Sequence, residues 1–156
     1  MKKILFFAAI AAALLCSCTP DSKDITNTVK MLGKTYTGVI TLYQAGDDWV
    51  NFDQKPDIKG AQNIHGFHSF DSKAVGQTRD LAKDECPVMI AYNFNEPIDG
   101  LDHYYPEFKS GTVKIEKLDE GYWIYIDAKD QDGKAFFMDV LAQDEFAVGG
   151  WGQYLD

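Results

Sequence analysis

The sequence predicts an all-β domain: a small antiparallel barrel or a β-sandwich of about eight strands, with a C-terminal meander and at most one short helix. Three observations predict it. Apolar residues recur at every second position through most of the chain, the signature of half-buried strands. Two connections in the last third, Leu118-Asp119-Glu120-Gly121 and Asp130-Gln131-Asp132-Gly133, run through acids to a glycine, as hairpin turns do. Only one stretch has the composition of a helix.

Taken in order, residues 25–32 form a short helix or an extended arm. Residues 38–43 read as a strand, with Ile40 and Leu42 on one face and Val39, Thr41 and Tyr43 on the other; residues 47–52 and 64–70 suggest two more. Residues 77–85 hold helix formers and no glycine but a single leucine, Leu81, which allows at most a short surface helix. Residues 88–94 form a strand with Val88, Ile90, Tyr92 and Phe94 on one face, and a polar, proline-punctuated loop is expected over residues 95–106. The meander follows, with strands at 112–117, 122–128 and 135–141. A last strand at 146–154 is interrupted by Gly149, Gly150 and Gly152, which point to a bulge or a close backbone approach. So many short strands suit a lipocalin-like barrel or a jelly-roll sandwich.

Composition sets the class of function. The chain has 156 residues, 46% hydrophobic and 25% charged, which fits one globular domain. Fifteen Lys+Arg stand against 24 Asp+Glu, a formal charge of −9, with no basic run beyond the first three residues. That balance excludes nucleic acid as a partner.

The N-terminus reads MKKILFFAAIAAALLCSC: two lysines, an apolar run from Ile4 to Leu15, then small residues ending at a cysteine. This is the pattern of a secretory signal peptide, and the run is short of the ~20 residues a membrane-crossing helix needs. Leu15, Cys16 and Ser17 ahead of Cys18 resemble the lipobox of bacterial lipoproteins, which wants Leu three places before the modified cysteine and a small residue directly before it. Cys16 at the middle position departs from the commonest pattern. The resemblance implies cleavage after residue 17, a diacylglycerol thioether on Cys18 and an amide-linked acyl chain such as palmitate. It divides the chain into a signal peptide (1–17), a lipidated cysteine with its tether (18–30) and a single β domain (31–156). Thr19 after the cysteine, by analogy with lipoprotein sorting, implies the outer membrane, on its periplasmic or surface face. Cleavage removes Lys2 and Lys3 and no acid, leaving 13 basic and 24 acidic residues and a charge of −11. Such a domain is repelled by an anionic membrane, and the polar segment 19–24 reads as a tether holding it clear. Cys86 is then the one thiol left, so no internal disulfide forms; at the mouth of an apolar strand it reads as a small buried hydrophobe rather than a nucleophile.

Residues 110–137 resemble a segment near the C-terminus of many small, uncharacterised secreted lipoproteins of Bacteroidetes-type bacteria, through a glycine-led strand, aromatic alternation and the Asp-Gln-Asp-Gly-Lys turn. The resemblance implies a β-rich envelope domain and transfers no catalytic residue.

Candidate binding residues come from strand alternation. Trp123, Tyr125 and Asp127 share one face of their strand, and Phe137, Asp139 and Leu141 one face of the next. The aromatics could stack on a glycan or an apolar small molecule, with Asp127 and Asp139 accepting from hydroxyls. The plainer reading packs this face against an N-terminal strand or another sheet. His65 and His68, three apart, and His103 are the weak candidates for a metal; on a strand that spacing sends the first two to opposite faces, and solvated histidines explain them more simply. Acid pairs such as Asp47-Asp48 raise a glycosidase dyad, yet with 24 acids some pair approaches by chance. No Ser/His/Asp set, phosphate loop or nucleotide fingerprint is present, and no cofactor is implied. The expected function is a lipid-anchored envelope domain that binds a ligand or an envelope protein without catalysis. The alternatives are a small glycan-directed hydrolase using paired carboxylates and a structural subunit of an envelope complex.

Overall fold

The computed structural model describes residues 23–55 and 64–147. The expected signal peptide and Cys18 lie outside the described residues, as does all of the expected last strand except Phe146 and Ala147, which form a turn. The chain is all-β. Among the described residues eleven strands run in order: β1 (Thr28–Met31), β2 (Lys34–Tyr36), β3 (Ile40–Ala45), β4 (Trp49–Lys55), β5 (Ile64–Asp71), β6 (Thr78–Asp80), β7 (Val88–Ile98), β8 (Leu101–Tyr104), β9 (Ser110–Leu118), β10 (Gly121–Lys129) and β11 (Ala135–Asp144). A 3-10 turn, Ser72–Ala74, follows β5. The strands form one sheet, ordered β6-β9-β10-β11-β3-β4-β5-β7-β8, that curls into a half-barrel. The hairpin β1–β2 branches from it, because β11 pairs antiparallel with β1 through residues 137–139 and parallel with β3 through residues 142–144.

The meander β9-β10-β11 matches the sequence reading, with Ile126 opposite both Val113 and Met138. Gly111 sits at φ +122°, and a Cβ there would lie 2.2 Å from the Asp127 carbonyl, so β9 can approach β10 at this point only through glycine. The β10–β11 turn is organised by Asp130, which is buried. Its Oδ1 accepts from the backbone N–H of Asp132 (2.9 Å) and Lys134 (2.8 Å), and its Oδ2 from the Tyr104 hydroxyl (2.7 Å).

Two expected elements are corrected. Residues 77–85 are not a helix: Thr78–Asp80 pairs with β9 as an edge strand, and a turn follows in which Asp80 Oδ1 accepts from Ala82 N–H. Leu81, the one leucine there, goes into the core. A single buried contact cannot hold a short helix, whereas the open edge of β9 supplies backbone partners. Residues 95–106 are not all loop: β7 continues to Ile98 and turns through Asp99 (φ 53°) and Gly100 (φ 78°) into β8. Pro97 is tolerated because the β7–β8 register breaks between Asn93 and Ile98, so no ladder bond is lost. The sheet also begins at Thr28, three residues before the expected start of the domain.

The interior is filled by side chains meeting across the curl. Phe70 of β5 packs on Tyr122 of β10 (ring centroids 5.3 Å apart) and Tyr92 of β7 on Phe136 of β11 (6.4 Å). Amid them lies a buried polar cluster. Gln54 Oε1 accepts from His68 Nε2–H (3.1 Å) and from the Tyr92 hydroxyl, while its Nε2 donates to Thr41 Oγ1 (3.2 Å) and contacts Met138 Sδ (3.8 Å). His68 Nδ1 accepts from Ala91 N–H (3.2 Å), which places the ring proton on Nε2. Gly66 makes this cluster possible: a Cβ there would lie 2.3 Å from His68 Nε2 and 2.8 Å from Tyr92 Cε1. Gly66→Ala is expected to cost about 1–3 kcal/mol by overpacking, read from urea unfolding.

Burial pulls the His68 imidazole from 6.5 down to about 3. Between those values the unfolded chain binds a proton that the folded chain refuses, so stability falls as pH drops through that window. The slope from this group is about 1.4 kcal/mol per pH unit. Unfolding measured between about pH 7 and about pH 4 should show a steeper loss for the wild type than for His68→Gln.

Candidate functional site

Alternation and register place the aromatic candidates together. Ile124 and Ile126 of β10 and Met138 and Val140 of β11 point into the core, so Trp123, Tyr125 and Phe137 lie on the outer face, each half-buried. Tyr125 stands opposite Asp139 rather than Phe137, yet its ring reaches both neighbours: 5.7 Å to Trp123 and 5.6 Å, edge-on, to Phe137. The three rings form one row.

The acids behave differently. Asp127 is exposed at the end of the row. Asp139 is buried and fully used: its Oδ1 accepts from Trp123 Nε1–H (2.8 Å) and its Oδ2 from the Thr26 backbone N–H (3.0 Å) and hydroxyl (2.7 Å). It therefore fastens the N-terminal segment to the outer face instead of waiting for a ligand hydroxyl. Asn27 adds a second tie, its Oδ1 accepting from Leu141 N–H (3.0 Å). Lys23 then lies over the Trp123 ring, 3.8 Å from its centroid, and pairs with Glu116. Lys114 pairs with Glu116 as well (2.7 Å), and Lys30 stands 5.1 Å from the centre of the Phe137 ring. The outer face is thus an aromatic row roofed at one end by the N-terminal segment and edged by lysines.

Beyond Lys30 the face opens into a groove of about 730 Å3 lined by Lys30, Leu32, Lys34, Ile98 and Lys134, among others, and floored by buried Met31. Asp99 on its rim pairs with Lys134 (3.1 Å).

The histidines do not converge. His68 is inside the barrel and spent on Gln54 and Ala91, which corrects the expectation that it is solvated. His65 and His103 are outside, on one cross-strand row with Asn93 between them. Among the described residues no group of three or more His, Cys, Asp and Glu is placed to hold a metal. Cys86 is half-buried against the core, with Sγ–H donating to the Val88 carbonyl (3.3 Å) and burial raising its pKa.

Two features escaped sequence reasoning. One is an apolar outer surface on β5, β7 and the end of β8: Phe67 is 51% exposed, Met89 62% and Tyr105, just past β8, 54%. Phe67 pairs with Ala91, which puts Met89 on its diagonal, and the row continues through His65 and Asn93 to His103, whose ring is 5.2 Å from Tyr105. The signal was the alternation itself, since His68 and Phe70 inward require Phe67 outward. The other is a pocket of about 110 Å3 lined by Leu42, Gln44, Asn51, Asp53 and Glu145. Burial, and then the Glu145 charge, hold the Asp53 carboxyl above its ordinary range. These acids are far apart in sequence, so no local motif could reveal them.

Comparison of the chain with protein-family models, curated proteins and solved structures finds no match.

Asp139→Ala leaves the Trp123 and Thr26 donors without their partner. It is expected to cost about 1–3 kcal/mol and to speed trypsin cleavage after Lys23, followed by mass spectrometry of the digest.

Proposed function

We propose that this chain is a lipid-anchored cell-envelope protein, held at Cys18, whose β domain binds a partner protein through the outer surface of β5, β7 and β8 and performs no reaction. The observation that carries the reading is the exposure of Phe67, Met89 and Tyr105 on one side of a strongly acidic domain, with Asp53 opposite Phe67 at the border of the patch. Large apolar side chains grouped in solvent mark interaction surfaces in soluble domains. The interior, filled by rings packed across the barrel, favours surface binding over a lipocalin-like cavity. Glycan stacking on Trp123 is disfavoured, because Lys23 lies over that ring and Asp139 already holds its N–H.

The hydrolase alternative rests on Asp53 and Glu145. A raised carboxyl beside a second acid has the character of a general acid. A pocket of about 110 Å3 is, however, below the several hundred Å3 usual for ligand sites. Binding is therefore the preferred reading.

A photoreactive amino acid placed at position 67 or 89 of the full chain in its native envelope should yield one discrete cross-linked protein, while the same probe at exposed Lys73 yields none. Equal labelling at all three positions, or none at 67 and 89, rejects this surface.

A further inference from the structure

We propose that the outer face of β10, β11 and the β1–β2 hairpin lies against the bilayer, its groove facing anionic lipid headgroups. The inference rests on the reading of Cys18 as the lipidated anchor and adds an orientation to it.

The first argument is reach. Asp139 and Asn27 clamp the N-terminal segment onto this face, and Lys23 rests on Trp123. Cys18 is five residues before Lys23, and five residues span at most ~18 Å fully extended. An anchor at Cys18 thus enters the membrane within a short distance of the aromatic row. The opposite side of the domain is kept away: inward rings of β5 and β7 meet those of β10 and β11 across the core, so the outward faces of these strand pairs look in opposite directions.

The second argument is chemistry. Trp and Tyr beside lysines are the residues that settle at a membrane interface, with rings at headgroup depth and ammonium groups among phosphates. Here Trp123, Tyr125 and Phe137 are edged by Lys23, Lys30 and Lys114, and the face continues at Lys30 into the groove with Lys34 and Lys134. These five lysines stand against Asp24, Asp99, Glu116, Asp127 and the buried Asp139, whose oxygens are taken by Trp123 and Thr26. Glu116 is shared by Lys23 and Lys114, and Asp99 takes Lys134. Lys30 and Lys34 have no carboxylate within ion-pair distance among the described residues, which leaves two ammonium groups open to phosphate at the groove. A domain of strongly negative charge has gathered cations on the side nearest its anchor, so net charge misleads about how this side meets an anionic surface. The expectation that the tether holds the domain clear of the bilayer is replaced by one in which the fastened segment brings this face down onto it.

The full lipoprotein is tested in vesicles of phosphatidylethanolamine and phosphatidylglycerol that contain a nitroxide-headgroup lipid. In a Cys86→Ser background a fluorophore is attached at Asp127→Cys or at Met89→Cys, both exposed positions on opposite sides. The label at 127 should be quenched several-fold more than the label at 89, and Lys30→Gln with Lys34→Gln should remove the part of that quenching that phosphatidylcholine vesicles also lack. Equal quenching at the two positions, on protein whose Cys18 carries an acyl mass, overturns the orientation and leaves the anchor standing. Absence of acyl mass on Cys18 overturns the anchor and the orientation with it. An orientation preference unchanged by the lysine substitutions and by lipid charge overturns the headgroup assignment.

Discussion

A single glutamine at the centre of the barrel is the constraint that the rest of the domain obeys. Gln54 joins Thr41 of β3, His68 of β5, Tyr92 of β7 and Met138 of β11, so one side chain on β4 touches four other strands. An amide is costly to bury without partners, and here its oxygen and nitrogen are both engaged. Satisfying it demands that the sheet curl enough to bring β7 and β11 to the same point, that His68 be neutral with its proton on Nε2, and that Gly66 carry no side chain. A flatter sheet would leave the amide, the phenol and the imidazole short of partners at once. The cluster therefore selects one curvature and one register in a way that packing of interchangeable aliphatic residues does not.

Much of the architecture was legible because it depends on local pattern. The period-two runs at Val88 to Phe94 and through the meander located the four longest strands, and the acid-to-glycine connections located the turns of the meander. Signals that depend on a neighbour were not legible. Thr78–Asp80 has helix-forming residues around it and becomes a strand because β9 offers an unpaired edge. The polar run at Asn95-Glu96-Pro97 looked like loop, although Asp99-Gly100 just beyond it is a strong hairpin signal that was available. The parallel pairing of β11 with β3 joins residues about a hundred positions apart and leaves no trace in local sequence.

The candidate site was half legible for the same reason. Alternation grouped Trp123, Tyr125 and Phe137 correctly, but not which partner each acid would find. Asp139 faces the aromatic row as expected and is then consumed by Thr26 from the far end of the chain. His68 followed its strand inward, where burial rather than solvation decides its protonation. The outward surface around Phe67 is the complement of that same choice, since a strand with one buried face must spend its other residues on solvent.

The double use of β11 bears on how the molecule is made. Its first half is the seam for β1 and its last half the seam for β3, so the β1–β2 hairpin and the β3-β4-β5-β7-β8 part of the sheet are joined to the meander only through the final described strand. Pairings of such long sequence separation must close large loops before any bond rewards them, which places folding of this chain among the slow, ms-to-s cases. Until residue 144 is available the nascent chain has no completed sheet. Until then the β1–β2 hairpin and the five-stranded half β3-β4-β5-β7-β8 remain separate units with nothing to fix one against the other.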